Sequence, residues 1–261
     1  MPQIEIYFST GTLLRYVATG IICTIAPMIL AYFWRKRYDE SWLVFLVGFL
    51  AYFTGGTVRF IFSSLVFRDG SVFKTNLFFF YLMYGLLSGV CEETARYVAF
   101  KYPLRNKTER TSSVMYGLGH DFYESFVIGG LASFHYVLDG IDWNNLGESE
   151  FTKGLDEKAA QKMLEDVANA ADFSILDCLL VSLDSIAGIV IHVALSVIVF
   201  KAVQTCDWKR WLLLAIVLHT LGNFLSGYLP FSDTGMHLFS VFWAIMIGWF
   251  TYRLYQKLPY V

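Results

Sequence analysis

SGVCEETARY, residues 88–97, and YGLGHDFYES, residues 116–125, place ionisable side chains inside segments that are otherwise apolar enough to span a bilayer. Five of them are Glu92, Glu93, Arg96, His120 and Glu124, and Asp121 adds a further charge. An ionisable group near the centre of a spanning helix costs roughly 2.5–3.5 kcal/mol even on a lenient insertion scale. Five of them in two neighbouring segments therefore indicate a functional site on which other helices converge.

The composition is that of an integral membrane protein. Hydrophobic residues make up 56% of the 261 residues and charged residues only 16%, whereas a soluble domain has about 25% charged residues. We expect the lipid bilayer as a partner and no nucleic acid. The four cysteines form no C-x-x-C pair, so they predict neither a Cys-based metal motif nor an extracellular disulfide framework.

Seven apolar segments of about 20 residues predict an all-α, multi-pass bundle. Their approximate limits are 11–33, 42–65, 75–100, 111–138, 174–201, 209–229 and 235–256. We interpret residues 1–261 as a single transmembrane domain with one long, acidic connection at 139–173. Within that connection, residues from about Asp156 to Ala171 have the pattern of an amphipathic helix at the membrane surface.

Lys and Arg are distributed unevenly between the two ends of the predicted bundle. The connections at one end carry twelve of them and those at the other end carry five. Because cytosolic connections are enriched in Lys and Arg, we expect the N-terminus outside, the C-terminus in the cytosol and 139–173 outside the cell. The expected location is a cell membrane, the plasma membrane of a bacterium.

Four predicted helices carry a Glu or His at one depth. Each of these residues is nine or ten positions from a basic residue at the cytosolic end of its span, which corresponds to about 13 Å along a helix. They are Glu92, His120, His192 and His219. The other two histidines, His135 and His237, fall near the outer ends of their spans, and we do not expect them in the site.

Helical spacing adds further candidates to this level. Arg96, Glu124 and Asn223 each follow a candidate by four residues and so share its face. Glu92 and Glu93 point about 100° apart, so only one is expected to aim at a given reacting atom. Asp184 lies eight residues before His192, near the outer mouth of the same face. We expect Arg59 near the outer boundary of its span, extending to the interface.

Two chemical routes suit a carboxylate among imidazoles at low dielectric. The carboxylate can act as a general base on water while His and Asn donors stabilise an oxyanion. The same side chains can instead hold a metal ion, typically one zinc ion, that activates water. Both routes lead to hydrolysis. The alternative is a polar core that only holds the helices together.

The segment from Gly89 to Gly129, with E-E-x-x-R at 92–96 and Y-G-L-G-H-x-x-x-E at 116–124, resembles the YhfC family of intramembrane proteases. The resemblance continues through the segments around His192 and His219. That family is grouped with the PrsW proteases and with the CAAX-processing and bacteriocin-processing enzymes. Their shared pattern is a Glu-Glu motif, a histidine in mid-membrane and a final His-x-x-x-Asn or Asp.

The resemblance implies an intramembrane endopeptidase, of metalloprotease or glutamic type, that cuts a membrane-anchored protein or peptide. We expect it to act from the cytosolic side. The implied catalytic residues are Glu92 or Glu93, His120, His192, His219 and Asn223; Arg96, Glu124 and Asp184 would support them. The candidate metal ligands are His120, His192, His219 and Glu92.

Asp121 and Asp184 stand where the family pattern has other residues. These departures leave two alternatives open. One is a non-catalytic protein that binds a membrane partner, as an immunity protein or an accessory subunit would. The other is a proton-coupled carrier in which Glu and His residues relay protons.

Overall fold

The computed structural model describes residues 6–258, which form helices and no strands. A π-helical segment, Ser125–Leu131, joins α5 directly to α6. The α-helices in chain order are α1 Thr10–Tyr38, α2 Trp42–Val66, α3 Val72–Thr75, α4 Leu77–Lys101, α5 Arg110–Glu124, α6 Ala132–Leu146, α7 Glu148–Phe151, α8 Glu157–Ala171, α9 Ile175–Gln204, α10 Trp208–Tyr228 and α11 Asp233–Tyr255.

The chain is a helical membrane protein. Within residues 6–258, five helices are long and apolar enough to cross a bilayer, namely α1, α2, α9, α10 and α11. Helix α4 and the helical run through α5 and α6 pack among these five and carry the ionisable residues that make them less apolar. The count of seven spans and the orientation remain predictions. The fourth segment is longer than expected, since its helical structure continues to Leu146.

Two glycines let α5 pack closely between α2 and α9. A Cβ atom added to Gly119 would lie 1.9 Å from the backbone oxygen of Phe45 on α2. One added to Gly117 would lie 2.6 Å from the Cα of Val193 on α9. Small residues allow such close backbone approach between membrane helices. The close approach brings His120, one residue beyond Gly119, against both neighbouring helices.

The end of the bundle that carries the basic connections has a tightly packed interior, which we call the floor. Phe100 on α4, Tyr116 on α5 and Phe200 on α9 are its aromatic members, with ring centroids 4.5 Å apart for Phe100 and Tyr116 and 5.3 Å for Phe100 and Phe200. All three are at most 2% exposed. Leu195 and Ile198 of α9 fill the space around them and are fully buried.

Helix α8 lies at the opposite end, which we call the α8 end. It begins after Asp156, whose Oδ1 accepts a hydrogen bond of 2.8 Å from the backbone N–H of Ala159. Its apolar side packs against Phe8, Tyr16 and Trp143. A helix therefore occupies the segment for which the sequence predicts one. Its extracytoplasmic position, like the single-domain organisation, stays a prediction.

Candidate active site

Glu93, Arg96 and His219 form a hydrogen-bonded group that we call the closed set. Glu93 Oε2 accepts a hydrogen bond from Arg96 Nη1, and Glu93 Oε1 lies 2.7 Å from His219 Nδ1. The glutamate and the arginine are completely buried, and His219 is 7% exposed. Both oxygens of Glu93 therefore have partners, and the glutamate is committed to holding α4 and α10 together.

Glu92 has quite different surroundings. Its Oε1 accepts a hydrogen bond of 2.9 Å from Arg59 Nη1, which also lies 3.1 Å from Ser88 Oγ. Its Oε2 is buried, makes no hydrogen bond, and lies 3.7 Å from Nε2 of both His120 and His219. Of the two neighbouring glutamates, Glu92 is thus the one with an oxygen free to react or to bind an ion.

Arg59 corrects the expectation from the sequence. It does not extend to the outer interface, because its guanidinium turns inward to the Glu92 carboxylate. A signal for this was present in the sequence. Two carboxylates, Glu92 and Glu93, fall within an apolar span, and their helix carries only one cation close to them, Arg96. The second carboxylate therefore needs a cation from a neighbouring apolar span to balance its charge.

His120 lies at the centre of the site without a hydrogen bond. It is fully buried, and neither its Nδ1 nor its Nε2 has a hydrogen-bond partner among the described residues. The ring of Tyr52 on α2 lies edge-on, with centroids 4.9 Å apart, a contact that the sequence did not predict. Glu92, His120 and His192 each offer one ligand atom, and these atoms all lie within 4.8 Å of one another.

His192 links the closed set to Glu124. Its Nδ1 lies 3.2 Å from Arg96 Nη2, and its Nε2 lies 2.6 Å from Glu124 Oε2. Arginine can only donate, so Nδ1 accepts and the proton of the neutral ring belongs on Nε2, facing the carboxylate. The i, i+4 spacing paired Glu124 with His120, but the structure places it against His192. Together, Glu92, His120, His192 and Glu124 are called the open set.

The open set fits a metal ion. Imidazole nitrogens and carboxylate oxygens are the ligands that zinc prefers outside thiolate sites. Burying such atoms without partners is unfavourable, and a cation would satisfy them. With the carboxylates and guanidinium groups charged and the three histidines neutral, the open and closed sets contain three negative carboxylates and, with Arg59, two positive guanidinium groups. The surplus negative charge favours a cation. His219 Nδ1 against Glu93 also matches the carboxylate–histidine pairing found behind metal ligands.

A cavity of about 310 Å³ opens on the open set. Glu124, His192, His219 and Asn223 line it, so the predicted site residues from α5, α9 and α10 share one space. The Glu124 side chain is 34% exposed. Glu92, Glu93, Arg96 and His120 lie behind these residues and are buried.

The two aspartates that depart from the family pattern lie beside the site and not at its centre. Asp121 is buried and accepts a hydrogen bond of 3.0 Å from Ser125 Oγ at the start of the π-helical segment. Asp184 lies at the mouth of the cavity, 3.7 Å from Nδ1 of His237. A π-helical turn beside a polar cavity is a common feature of functional sites.

Comparison with known proteins supports a family assignment. A family model described as YhfC intramembrane metalloprotease matches residues 22–246. One relative, the "Uncharacterized membrane protein YhfC" of Bacillus subtilis (strain 168), is 24% identical over 217 residues, which cover 78% of this chain and 80% of the relative. No solved structure matches the chain. With most of its length matched and the Glu and His residues of the motifs gathered at one site, the chain belongs to the YhfC intramembrane metalloprotease family.

Proposed function

We propose that this protein is a metal-dependent intramembrane endopeptidase that hydrolyses a membrane-anchored protein or peptide in a bacterial plasma membrane. The observation that carries the proposal is the buried grouping of Glu92, His120 and His192, in which Glu92 Oε2 and both nitrogens of His120 have no hydrogen bond. Glu92 and His120 would hold the ion, and His192 would join them by releasing its Nε2 proton when the ion binds. His219 Nε2, 3.7 Å from Glu92 Oε2, is a further nitrogen close to the ligands. A bound zinc ion would supply Lewis-acid activation of water and of the scissile carbonyl.

The protein's own groups have separate roles in this proposal. Glu124 lines the cavity, and its Oε2 lies 2.6 Å from His192 Nε2, so its carboxylate can accept a proton from water and return it to the leaving amine. Asn223 lines the same cavity and can donate to the oxyanion. Glu93 and Arg96 orient His219 and His192 through their second ring nitrogens. The floor keeps water out on one side of the reacting groups.

Metal content of the purified protein tests the ligand assignment. We expect about one zinc ion per chain in the wild type by elemental analysis, its loss in the His120→Ala variant and its retention in His135→Ala. The control removes a histidine that the structure does not place in the site. Equal zinc in wild type and His120→Ala would contradict the proposal.

Proteolysis needs a test that does not presume the substrate. Membranes from cells that express the wild type or Glu92→Gln at matched levels can be compared by quantitative sequencing of protein N-termini. We expect a set of internal N-termini that only the active protein generates. Identical termini in the two samples, with both proteins folded and present, would favour a non-catalytic role.

A further inference from the structure

We propose that the substrate reaches the site from the α8 end of the bundle, the extracytoplasmic end by the distribution of Lys and Arg, and that it is a polypeptide segment carrying basic side chains. The inference rests on the proposed function and names its substrate class. It replaces the expectation that cleavage occurs from the cytosolic side.

The first argument is the direction in which the site cavity extends. From His192 on α9, the lining continues through Gly188 and Asp184, towards the start of that helix, which follows α8. From His219 on α10 it continues through Asn223 and Ser226, away from the basic connection between α9 and α10. None of the residues that line this cavity lies on the floor side of either histidine.

The second argument is that the site cavity does not continue towards the basic end. A separate cavity of about 530 Å³ lies there, lined by residues such as Arg110 and Tyr255, and it shares no lining residue with the site cavity. One turn beyond His192 towards the basic end, Ser196 is fully buried, and its Oγ donates a 2.7 Å hydrogen bond to the His192 carbonyl. Leu195, Ile198 and Phe200 of the same helix stretch belong to the floor. Interiors packed to this degree lack voids that would admit a peptide. A substrate from the basic end would have to separate α4, α5 and α9.

The third argument is continuity with a larger space at the α8 end, which we call the vestibule. The vestibule has a volume of about 1140 Å³ and lies between α8, α1 and α6. Its lining includes the aromatic rings of Tyr16, Tyr136, Trp143 and Phe173. It shares Ile128, Gly129 and Val181 with the site cavity, so the two spaces adjoin at the π-helical segment.

The fourth argument is the charge along this route. Asp139 and Asp166 line the vestibule, and Asp121, Asp184 and Glu124 line the site cavity. The one lysine on the route, Lys162, lies 2.9 Å from Asp166 Oδ2. Residues 139–173 as a whole contain nine Asp and Glu against three Lys. A cleft with one sign of charge concentrates ligands of the opposite sign, so a segment with Lys or Arg residues is favoured.

Thiol accessibility tests the route directly. In a background with Cys23, Cys91, Cys178 and Cys206 replaced, Ser226→Cys and Ser240→Cys each place one thiol in the site cavity. Ser196→Cys is the matched variant on the floor side. Two reference thiols report the membrane sides. Lys158→Cys reports the α8 end, and the native Cys206, which is exposed just after α9 and is returned to the cysteine-free background, reports the basic end. Intact cells and inverted vesicles are then treated with membrane-impermeant methanethiosulfonates.

We expect the two cavity thiols to react from the membrane side that labels Lys158→Cys and at least about tenfold more slowly from the side that labels Cys206. The Ser196→Cys thiol should react from neither side and become reactive after denaturation. Labelling of the cavity thiols only from the Cys206 side, or from neither side, would overturn the inference. Two cavity positions protect the result against failure of one variant to fold.

The charge of the reagent tests the substrate class. The quantity measured is the ratio of the labelling rate with the trimethylammonium reagent to that with the sulfonate reagent. We expect this ratio at Ser240→Cys to be about tenfold higher than the same ratio for 2-mercaptoethanol in solution. Asp139→Asn combined with Asp166→Asn should reduce that preference at least about twofold. An unchanged ratio would remove the basic-segment assignment. These reactions need no peptidase activity, so their outcome is separate from that of the zinc and N-terminus experiments.

Discussion

Two neighbouring glutamates, Glu92 and Glu93, occupy opposite kinds of surroundings. In the closed set, both oxygens of Glu93 have partners, Arg96 and His219. In the open set, Glu92 keeps one oxygen without a hydrogen bond, and His120 has no hydrogen bond at all. Glu92, Glu93, Arg96, His120 and His219 are all nearly or completely buried, so exposure does not distinguish the two glutamates. What differs is whether both carboxylate oxygens of the glutamate have hydrogen-bond partners.

The comparison separates support from reactivity. A buried polar group with complete hydrogen bonding holds one geometry and resists change. A buried polar group without partners carries a cost that a ligand can remove. We therefore expect changes in the open set to affect chemistry, and changes in the closed set to affect folding first and chemistry second.

The Glu124→Gln variant should have the largest effect on activity. If Glu124 transfers the proton, its loss should lower turnover by about 10² to 10⁴-fold, while zinc content remains near that of the wild type. The control is Glu150→Gln, which removes an exposed carboxylate that lines neither the site cavity nor the vestibule and should retain most activity. Loss of zinc in Glu124→Gln would instead make this residue a ligand and would require a different proton acceptor.

The Arg96→Ala variant tests the closed set. Removing one partner leaves Glu93 buried with an uncompensated charge and His192 Nδ1 without its donor, which should cost about 3–5 kcal/mol of unfolding free energy. Thermal or denaturant unfolding in detergent measures this loss. Arg105→Ala, an exposed arginine in a basic connection, should change stability by no more than about 0.5 kcal/mol. Equal stability of the two variants would show that the closed set is not structural.

The Arg59→Gln variant should have the smallest of these effects. The Arg59 guanidinium contacts Glu92 Oε1 and Ser88 Oγ and is partly exposed, so we expect its loss to cost about tenfold in zinc affinity or activity, within the range for groups that orient a metal ligand. Arg68→Gln, which lies exposed after α2, is the matched control. Zinc affinity in Arg59→Gln equal to that of Arg68→Gln would mean that Glu92 is positioned without this contact.

The pattern along the chain was sufficient for several parts of this fold. The apolar segments predicted the long helices to within a few residues at most ends, and the structure has a helix at Glu157–Ala171. Counting residues from the basic ends gave the common level of Glu92, His120, His192 and His219, which the structure brings together. This worked because the rise of a helix per residue is fixed and neighbouring spans begin at the same membrane surface.

The pairing of side chains could not be predicted in the same way. Arg96 bonds Glu93 and not Glu92, Glu124 approaches His192, and Arg59 reaches inward. These contacts join different helices or depend on which face of one helix meets another. Helix rotation and separation decide them, and these are set by packing at positions such as Gly117 and Gly119.

The sequence by itself determined that this is a membrane-embedded helical protein with carboxylates and imidazoles at one depth, because hydropathy and helical rise act locally along the chain. Only the tertiary structure decided which atoms of those groups are satisfied, which glutamate remains open, and that the cavity extends towards α8. These properties arise from the relative placement of α2, α4, α5, α9 and α10, and each depends on contacts between residues far apart in the chain.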